Sequence, residues 1–256
     1  MRLSTCNPLY KKRFWFLRFG NEKSHLESIQ NGNLRYSPSK TYVDIEKRTG
    51  EKGIGDKYEA AVVVSEVNIS VYHEDTDELI AQIPAEETTL TISRVSQIPV
   101  FCLYAFNGDN LEVIHEDEES YYVKTVFEEE DKNLLQKDFG EHVLLIVNTP
   151  LFLERVAKGM QSNGLFSSHG IVNYDDYSRN SEARWASYKK DERNSLFWKD
   201  ARYFKHQKEY RLILNTLITE PTFYDIGSIR DITAYMTREQ LFNEGFRLRI
   251  NKNRVK

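Results

Sequence analysis

The longest apolar runs in this 256-residue chain are His142–Asn148 (HVLLIVN) and Ala60–Val64 (AAVVV). Each has the length of one buried strand, far short of the about 20 residues a helix needs to cross a bilayer. The rest of the apolar material comes in equally short β-branched and aromatic stretches, at Val62–Tyr72, Leu90–Arg94, Pro99–Phe106, Tyr121–Phe127 and Val143–Val147. Turn or acidic segments separate them, a pattern that predicts antiparallel strands joined by hairpins. Gly170–Tyr174 reads as a short strand and Glu209–Asn215 as a longer one. Helical spacing of apolar residues predicts helices at His25–Asn31, stopped by Gly32, at Asn133–Phe139, and at Pro150–Gln161, where the proline suits a first turn. Ser195–Lys205 reads as a short helix, and the polar stretch Tyr177–Arg193 as a mobile loop. With no internal repeat and no Pro/Gly/Ser linker, the expectation is a single α+β domain over 1–256. It would have a mixed, mostly antiparallel β core with peripheral helices and a β-rich insertion around 60–130.

Composition removes several classes. The 15 tyrosines and 14 phenylalanines are too many for a chain that stays unfolded for want of apolar surface. Cys6 and Cys102 are far apart and match no metal spacing, which argues against a disulfide scaffold or zinc ribbon and for a reducing, cytoplasmic setting. The N-terminal MRLSTCNPLYKKRFWFLRF has no clean apolar segment ahead of a small-residue cleavage site, so no signal peptide is expected. Phosphate-loop, dinucleotide-fingerprint, nucleophile-elbow and H-E-x-x-H patterns are all missing, and the histidines are scattered singly.

The formal net charge of −4 hides an uneven distribution. Residues 112–142 carry eleven acids against Lys124, Lys132 and Lys137. Residues 179–211 carry ten bases against five acids, and Arg247, Arg249, Lys252, Arg254 and Lys256 end the chain. Such stretches are ordinarily solvated faces; a basic one beside Trp185 and Trp198 would also suit single-stranded nucleic acid.

Three segments stand out together: Arg13–Asp44 (RFWFLRFGNEKSHLESIQNGNLRYSPSKTYVD), Gly55–Ala60 (GDKYEA) and Ser195–Leu214 (SLFWKDARYFKHQKEYRLIL), the last preceded by Gly170–Asp175 (GIVNYD). The first reads as a strand ending in Arg18, a helix, a glycine stop, a short strand and a polar loop. On one strand, Gln207, Glu209 and Arg211 would project to one face, and Tyr210, Leu212 and Leu214 to the other. Taken alone, the polar trio is the wet face of a half-buried strand. Likewise Arg18 is a solvated strand residue, Ser37–Pro38–Ser39 turn chemistry, His206 an exposed strand-edge histidine, and Asp56 and Glu59 helix-terminus or turn residues.

In this order the segments resemble bacterial proteins of unknown function of the DUF2971 type, with their opening aromatic-Arg-aromatic, acidic D-x-x-E (Asp56, Glu59) and late Lys199, Phe204, Gln207, Glu209, Tyr210, Arg211 pattern. They are also similar to the ADP-ribosyltransferase superfamily, including DarT-like toxins. The first acid of the E-x-E pair is Gln207 here, and no clear S-T-S strand accompanies it. The resemblance implies an ADP-ribosyltransferase-like fold using NAD as co-substrate, with no metal. It implies a macromolecular acceptor, nucleic acid before protein, and a role as a toxin or anti-phage effector with an antitoxin or regulatory partner. Glu209 would be the catalytic carboxylate stabilising an oxocarbenium-like ribose, and Gln207 its neighbour orienting the acceptor. Arg18 would clamp the pyrophosphate with its planar fork, and Tyr42 or Phe197 would stack on the nicotinamide. Ser37 and Arg211 complete the expected pocket. The competing readings are a non-catalytic sensing module of the same fold, and a metal-dependent nuclease using Asp44, Asp56 and Glu59.

Overall fold

Strands in the middle of this chain are apolar on both faces, so both faces of the sheet they form must be covered. A computed structural model describes residues 1–252, and Arg254 and Lys256 of the basic terminus lie outside the described residues. The strands are β1 (Trp15–Gly20), β2 (Asn33–Pro38), β3 (Ala61–Tyr72), β4 (Leu79–Thr91), β5 (Pro99–Phe106), β6 (Leu111–Glu116), β7 (Ser120–Thr125) and β8 (His142–Ile146). They continue with β9 (Ser167–Ile171), β10 (Asn173–Asp175), β11 (Trp198–Asp200), β12 (Glu209–Leu214), β13 (Thr222–Asp225), β14 (Thr233–Thr237) and β15 (Arg247–Asn251). An eight-stranded sheet runs β13-β2-β5-β1-β8-β14, with β12 on β5 and β9 on β12. Its pairings are antiparallel throughout. With its helices this is a single compact α+β fold.

The sheet splits at β5. One edge of β5 pairs with β12, from Val100↔Ile213 to Tyr104↔Glu209. On the other edge β1 takes Tyr104–Phe106 and β2 takes Pro99 and Val100. Between them β1 and β2 diverge, and Phe101, Cys102 and Leu103 have no strand partner on that edge among the described residues.

One face of the sheet packs Phe16, Phe101, Leu103, Tyr210, Leu212 and Leu214 against the helix Thr149–Ser162, which inserts Phe152, Val156 and Met160 at i, i+4 and i+8. Asn148 caps that helix, its side chain accepting from the Leu151 N–H at 3.2 Å. The opposite face buries Trp15, Leu17, Phe19, Tyr104 and Phe106 under the three-stranded sheet β15-β7-β6. A smaller cluster of Ala60, Val95, Ile98, Val100, Leu196 and Ile213 closes the β5–β12 end.

Several expectations are corrected. Lys40–Thr49, read as part of a polar loop, is a helix ended by Gly50 in the left-handed region, φ 71°. Tyr177–Arg193 is not irregular: it holds the helix Glu182–Lys190, capped by Ser181 and tied down by fully buried Arg184. Arg184 donates to Asp175 at 2.7 Å and to the Arg179 carbonyl at 2.8 Å. Ser195–Lys205 divides into the end of a 3-10 turn, the short β11 and the short helix Ala201–Phe204. The strand expected at Leu90–Arg94 is the far end of β4, and β6, β13, β14 and β15 went unread. Within 60–130, the hairpin of β3 and β4 stands apart as its own two-stranded sheet, while β5 lies at the centre of the main one. No helix among the described residues is long and apolar enough to cross a membrane.

Candidate functional site: a buried charge network at the sheet split

Glu209 opens β12 and is 6% exposed, so its carboxylate needs partners in place of water. Lys199 Nζ, from β11, donates to Oε1 at 2.5 Å, and Arg211 Nε donates to Oε2 at 2.8 Å. Arg211 also forks onto Glu59, at 2.6 and 2.8 Å, and donates to the Leu196 carbonyl. Asp56 faces Lys199 at 4.0 Å, and its Oδ1 accepts the Tyr58 N–H at 2.9 Å. Lys199 and Glu209 arrive side by side because β10 pairs with β11, Tyr174 opposite Lys199, and the Tyr174 hydroxyl accepts the Glu209 N–H at 2.8 Å.

These charges set the proton affinities. Burial disfavours the Glu209 charge, but Arg211 and Lys199 outweigh it and bring the carboxyl down to about 2. Burial likewise works against the Lys199 charge, and Glu209 reverses the effect, leaving the ammonium above its ordinary value. For Asp56 burial comes first and Glu59 adds to it; Lys199 at longer range, the Tyr58 N–H and Arg211 offset this only in part, and the carboxyl is pushed up to about 7. With Asp56 protonated, Glu59 and Glu209 balance Lys199 and Arg211. Burial also pushes the Cys102 thiol up to about 11, so it is no thiolate nucleophile at neutral pH.

Asp56 thus holds its proton more tightly folded than unfolded. Its stabilisation is complete below its ordinary value of 3.8 and is lost as pH rises to about 7. Glu209 acts in the opposite sense: its contribution is present above 4.5 and lost as pH falls toward 2. Between pH 4.5 and 7 the difference in stability between wild type and Asp56→Asn is therefore expected to move against wild type as pH rises, then level off. Thermal melts of both proteins across that range measure it. A difference that stays constant would mean Asp56 is ionised in the fold throughout.

The expected site residues largely converge here. Arg18 fills the split in the sheet, its Nη1 donating to the Cys102 carbonyl at 2.5 Å and its guanidinium lying 5.1 Å from the centre of the Phe101 ring. Cys102 is the strand partner of Arg211, so Arg18 and Arg211 approach one backbone position from opposite edges. The Tyr42 hydroxyl meets Cys102 Sγ at 3.7 Å. Phe197 follows Leu196 in chain and packs over Gly170, itself the strand partner of Arg211. Ser37 lies beyond the split on β2, opposite Val100, outside the charge network.

The geometry differs from the expectation in four respects. First, the polar trio does not share one strand: Gln207 ends a 3-10 turn, Lys208 adopts a positive φ of 41°, and β12 starts only at Glu209. Gln207 still reaches Lys199 at 3.2 Å, and it donates to the Gly53 carbonyl at 2.7 Å and to Asp138 at 2.9 Å. Second, Glu209 and Arg211 are closed over. Glu59 closes over Arg211 and Asp56 faces Lys199, while Gly53 lies against Gln207 and Asp138, where an added Cβ would stand 2.7 Å from Asp138. Third, Asp56 and Glu59 do lie in a turn, Asp56 accepting the Tyr58 N–H, but their carboxylates also face Lys199 and Arg211. Fourth, His206 is buried against Asp138 at 2.7 Å. Asp44 lies apart on the exposed helix surface, paired with Lys40. Among the described residues no group of three or more His, Cys, Asp or Glu is placed to hold a metal ion.

Lys199 belongs in the site and was read from the sequence only as a motif position; its eight- and ten-residue separations from Gln207 and Glu209 were the available signal. The basic stretch is less cationic than its count, since Arg184, Lys199 and Arg211 are buried in internal pairs. It also meets the acidic stretch directly, through Lys208–Asp131 at 2.7 Å and His206–Asp138. Cavities of about 680 Å³ lie elsewhere, one between Trp15, Phe16, Asn148 and Tyr210, the other between Arg94, Lys189, Lys190 and Leu214–Leu217. No protein-family model, no curated protein and no solved structure matches the chain.

Proposed function

We propose that the chain is an NAD-dependent ADP-ribosyltransferase modifying a macromolecule, nucleic acid before protein, in the role of a bacterial toxin or anti-phage effector. The observation that supports this reading is the convergence of Arg18, Tyr42 and Arg211 on Cys102, with Glu209 bonded to Arg211 and Gln207 joined to it through Lys199, from segments far apart in sequence. A carboxylate held near pKa 2 stays anionic at any physiological pH. That suits it to stabilise a ribosyl cation and unsuits it to donate a proton. Arg18 sits where a pyrophosphate would enter the split. The segment Gly53–Glu59 is the cover that NAD must displace, exchanging Glu59 for substrate at Arg211. The acceptor approaches along the exposed bases Arg202 and Lys205, which precede Gln207 and Glu209 in the chain.

Pure protein incubated with labelled NAD, EDTA and fractionated lysate tests this. Label is expected on nucleic acid or protein, or nicotinamide is released, and Glu209→Gln loses the signal. No NAD consumption with any fraction would overturn it. A second reading, a non-catalytic module of the same type, is favoured by the saturation of both Glu209 oxygens. Under that reading NAD binding, followed by calorimetry, survives Glu209→Gln and is lost in Arg18→Ala.

A further inference from the structure

The hairpin of β3 and β4 has an anchored base and a free arm. At the base Ala61, Val62, Val63 and Ser65 are buried. The Ser65 hydroxyl donates to the Tyr177 carbonyl at 2.7 Å, and Ser65 exchanges backbone bonds with the Asn180 side chain at 3.0 and 2.8 Å. Glu66 then takes a positive φ of 54°, and beyond it the two strands pair only with each other. Val67 stands opposite Ala85, Ile69 opposite Ile83 and Val71 opposite Ala81. Partners and their i+2 neighbours share a face, so these residues form one continuous apolar surface. It is open to solvent: Ile69 is 42% exposed, Val71 38% and Ile83 50%, with Tyr72, Leu79 and Ile80 also exposed near the tip.

An isolated two-stranded ribbon is marginal in water, and its open edges and bare β-branched face are an association template. Charge decides what covers it. Between Ala61 and Thr91 the acids are Glu66, Glu74, Asp75, Asp77, Glu78, Glu86 and Glu87, with no Lys or Arg, a formal charge of −7. Arm-on-arm pairing of a second copy would bring like charges together, and nucleic acid or an anionic bilayer would be repelled. We infer that the arm is a docking surface for a partner protein presenting an apolar patch rimmed by lysine or arginine. This inference does not depend on the transferase reading.

The full chain is titrated with a labelled amphipathic peptide carrying a leucine face flanked by lysines, and with its twin carrying glutamate for lysine. The lysine peptide is expected to bind at least about tenfold more tightly than the twin, with affinity falling as salt rises. Ile69→Thr/Ile83→Thr, which keeps β-branched side chains and the strand pairing, should lose roughly tenfold of that affinity with an unchanged melting temperature. A second variant, Glu74→Gln/Asp75→Asn/Asp77→Asn/Glu78→Gln, should flatten the salt dependence. Equal affinity for both peptides, or no binding of either, overturns the inference. So does a dimer in sedimentation that Ile69→Thr/Ile83→Thr abolishes, which would give the face to a second copy. Preferential binding to phosphatidylserine vesicles overturns it as well, in favour of a lipid surface.

Discussion

Replacing Glu59 by alanine is expected to destabilise the fold by about 3–5 kcal/mol, the range for removing one partner of a buried ion pair. Glu59 and Arg211 are 2% and 1% exposed and meet through a two-pronged bridge. Without Glu59, Arg211 keeps Glu209 and the Leu196 carbonyl, but Nη2 and one arm of Nη1 lose their acceptors. Burying two charges is itself costly, so the pair adds little over a well-packed apolar pair. The loss comes from stranding one member. Glu59→Gln, which keeps the shape and one acceptor, should therefore cost less than Glu59→Ala. Glu59→Leu combined with Arg211→Met should cost less than the two changes summed. Urea unfolding at pH 7 reads this as a lower midpoint at unchanged slope. A loss under about 1 kcal/mol would mean that water reaches Arg211 in solution and that the cover over the network is open much of the time.

Under the proposed transferase reading, Glu209→Gln lowers NAD turnover by on the order of 10²–10³-fold, the scale for deleting one preorganised electrostatic contact to a transition-state charge. The substitution is nearly isosteric. Its oxygen can still accept from Lys199, but its amide would face Arg211 Nε, donor to donor. Some stability is lost with the activity, and the two must be separated. Turnover is therefore compared well below both melting temperatures, with retained NAD affinity as the check on folding. A drop in turnover at constant affinity belongs to the transition state. A variant as active as wild type would assign Glu209 to architecture, and two proteins equally inactive with every acceptor fraction would favour the sensing module.

Local pattern carried the strands furthest where both periodicity and composition were strong. Pro99–Phe106 was read at its full length, and β8, β12 and the helix Thr149–Ser162 to within a residue or two. Elements held by single polar anchors were missed. The helix Glu182–Lys190 has no apolar stripe, and buried Arg184 with its Asp175 partner holds it together with buried Tyr188 one turn on. Lys40–Thr49 buries no residue fully and shows its helical character chiefly through the Gly50 cap. The strand facing β3 was recognised only at its last residues, because most of β4 is solvent-exposed and lacks a buried alternation.

The site divides along the same line. The order Tyr-Arg-Leu-Ile-Leu after Glu209 was enough to place Tyr210, Leu212 and Leu214 on a core face, since strand alternation is a property of the backbone alone. Nothing local told whether Glu209 and Arg211 would meet water or counter-charges. That was decided by Glu59 arriving from 152 residues away, by Lys199 on a neighbouring short strand, and by the turn at Lys208 that takes Gln207 off the strand. Charge burial depends on which partners stand within a few ångströms, and only the folded chain sets those distances.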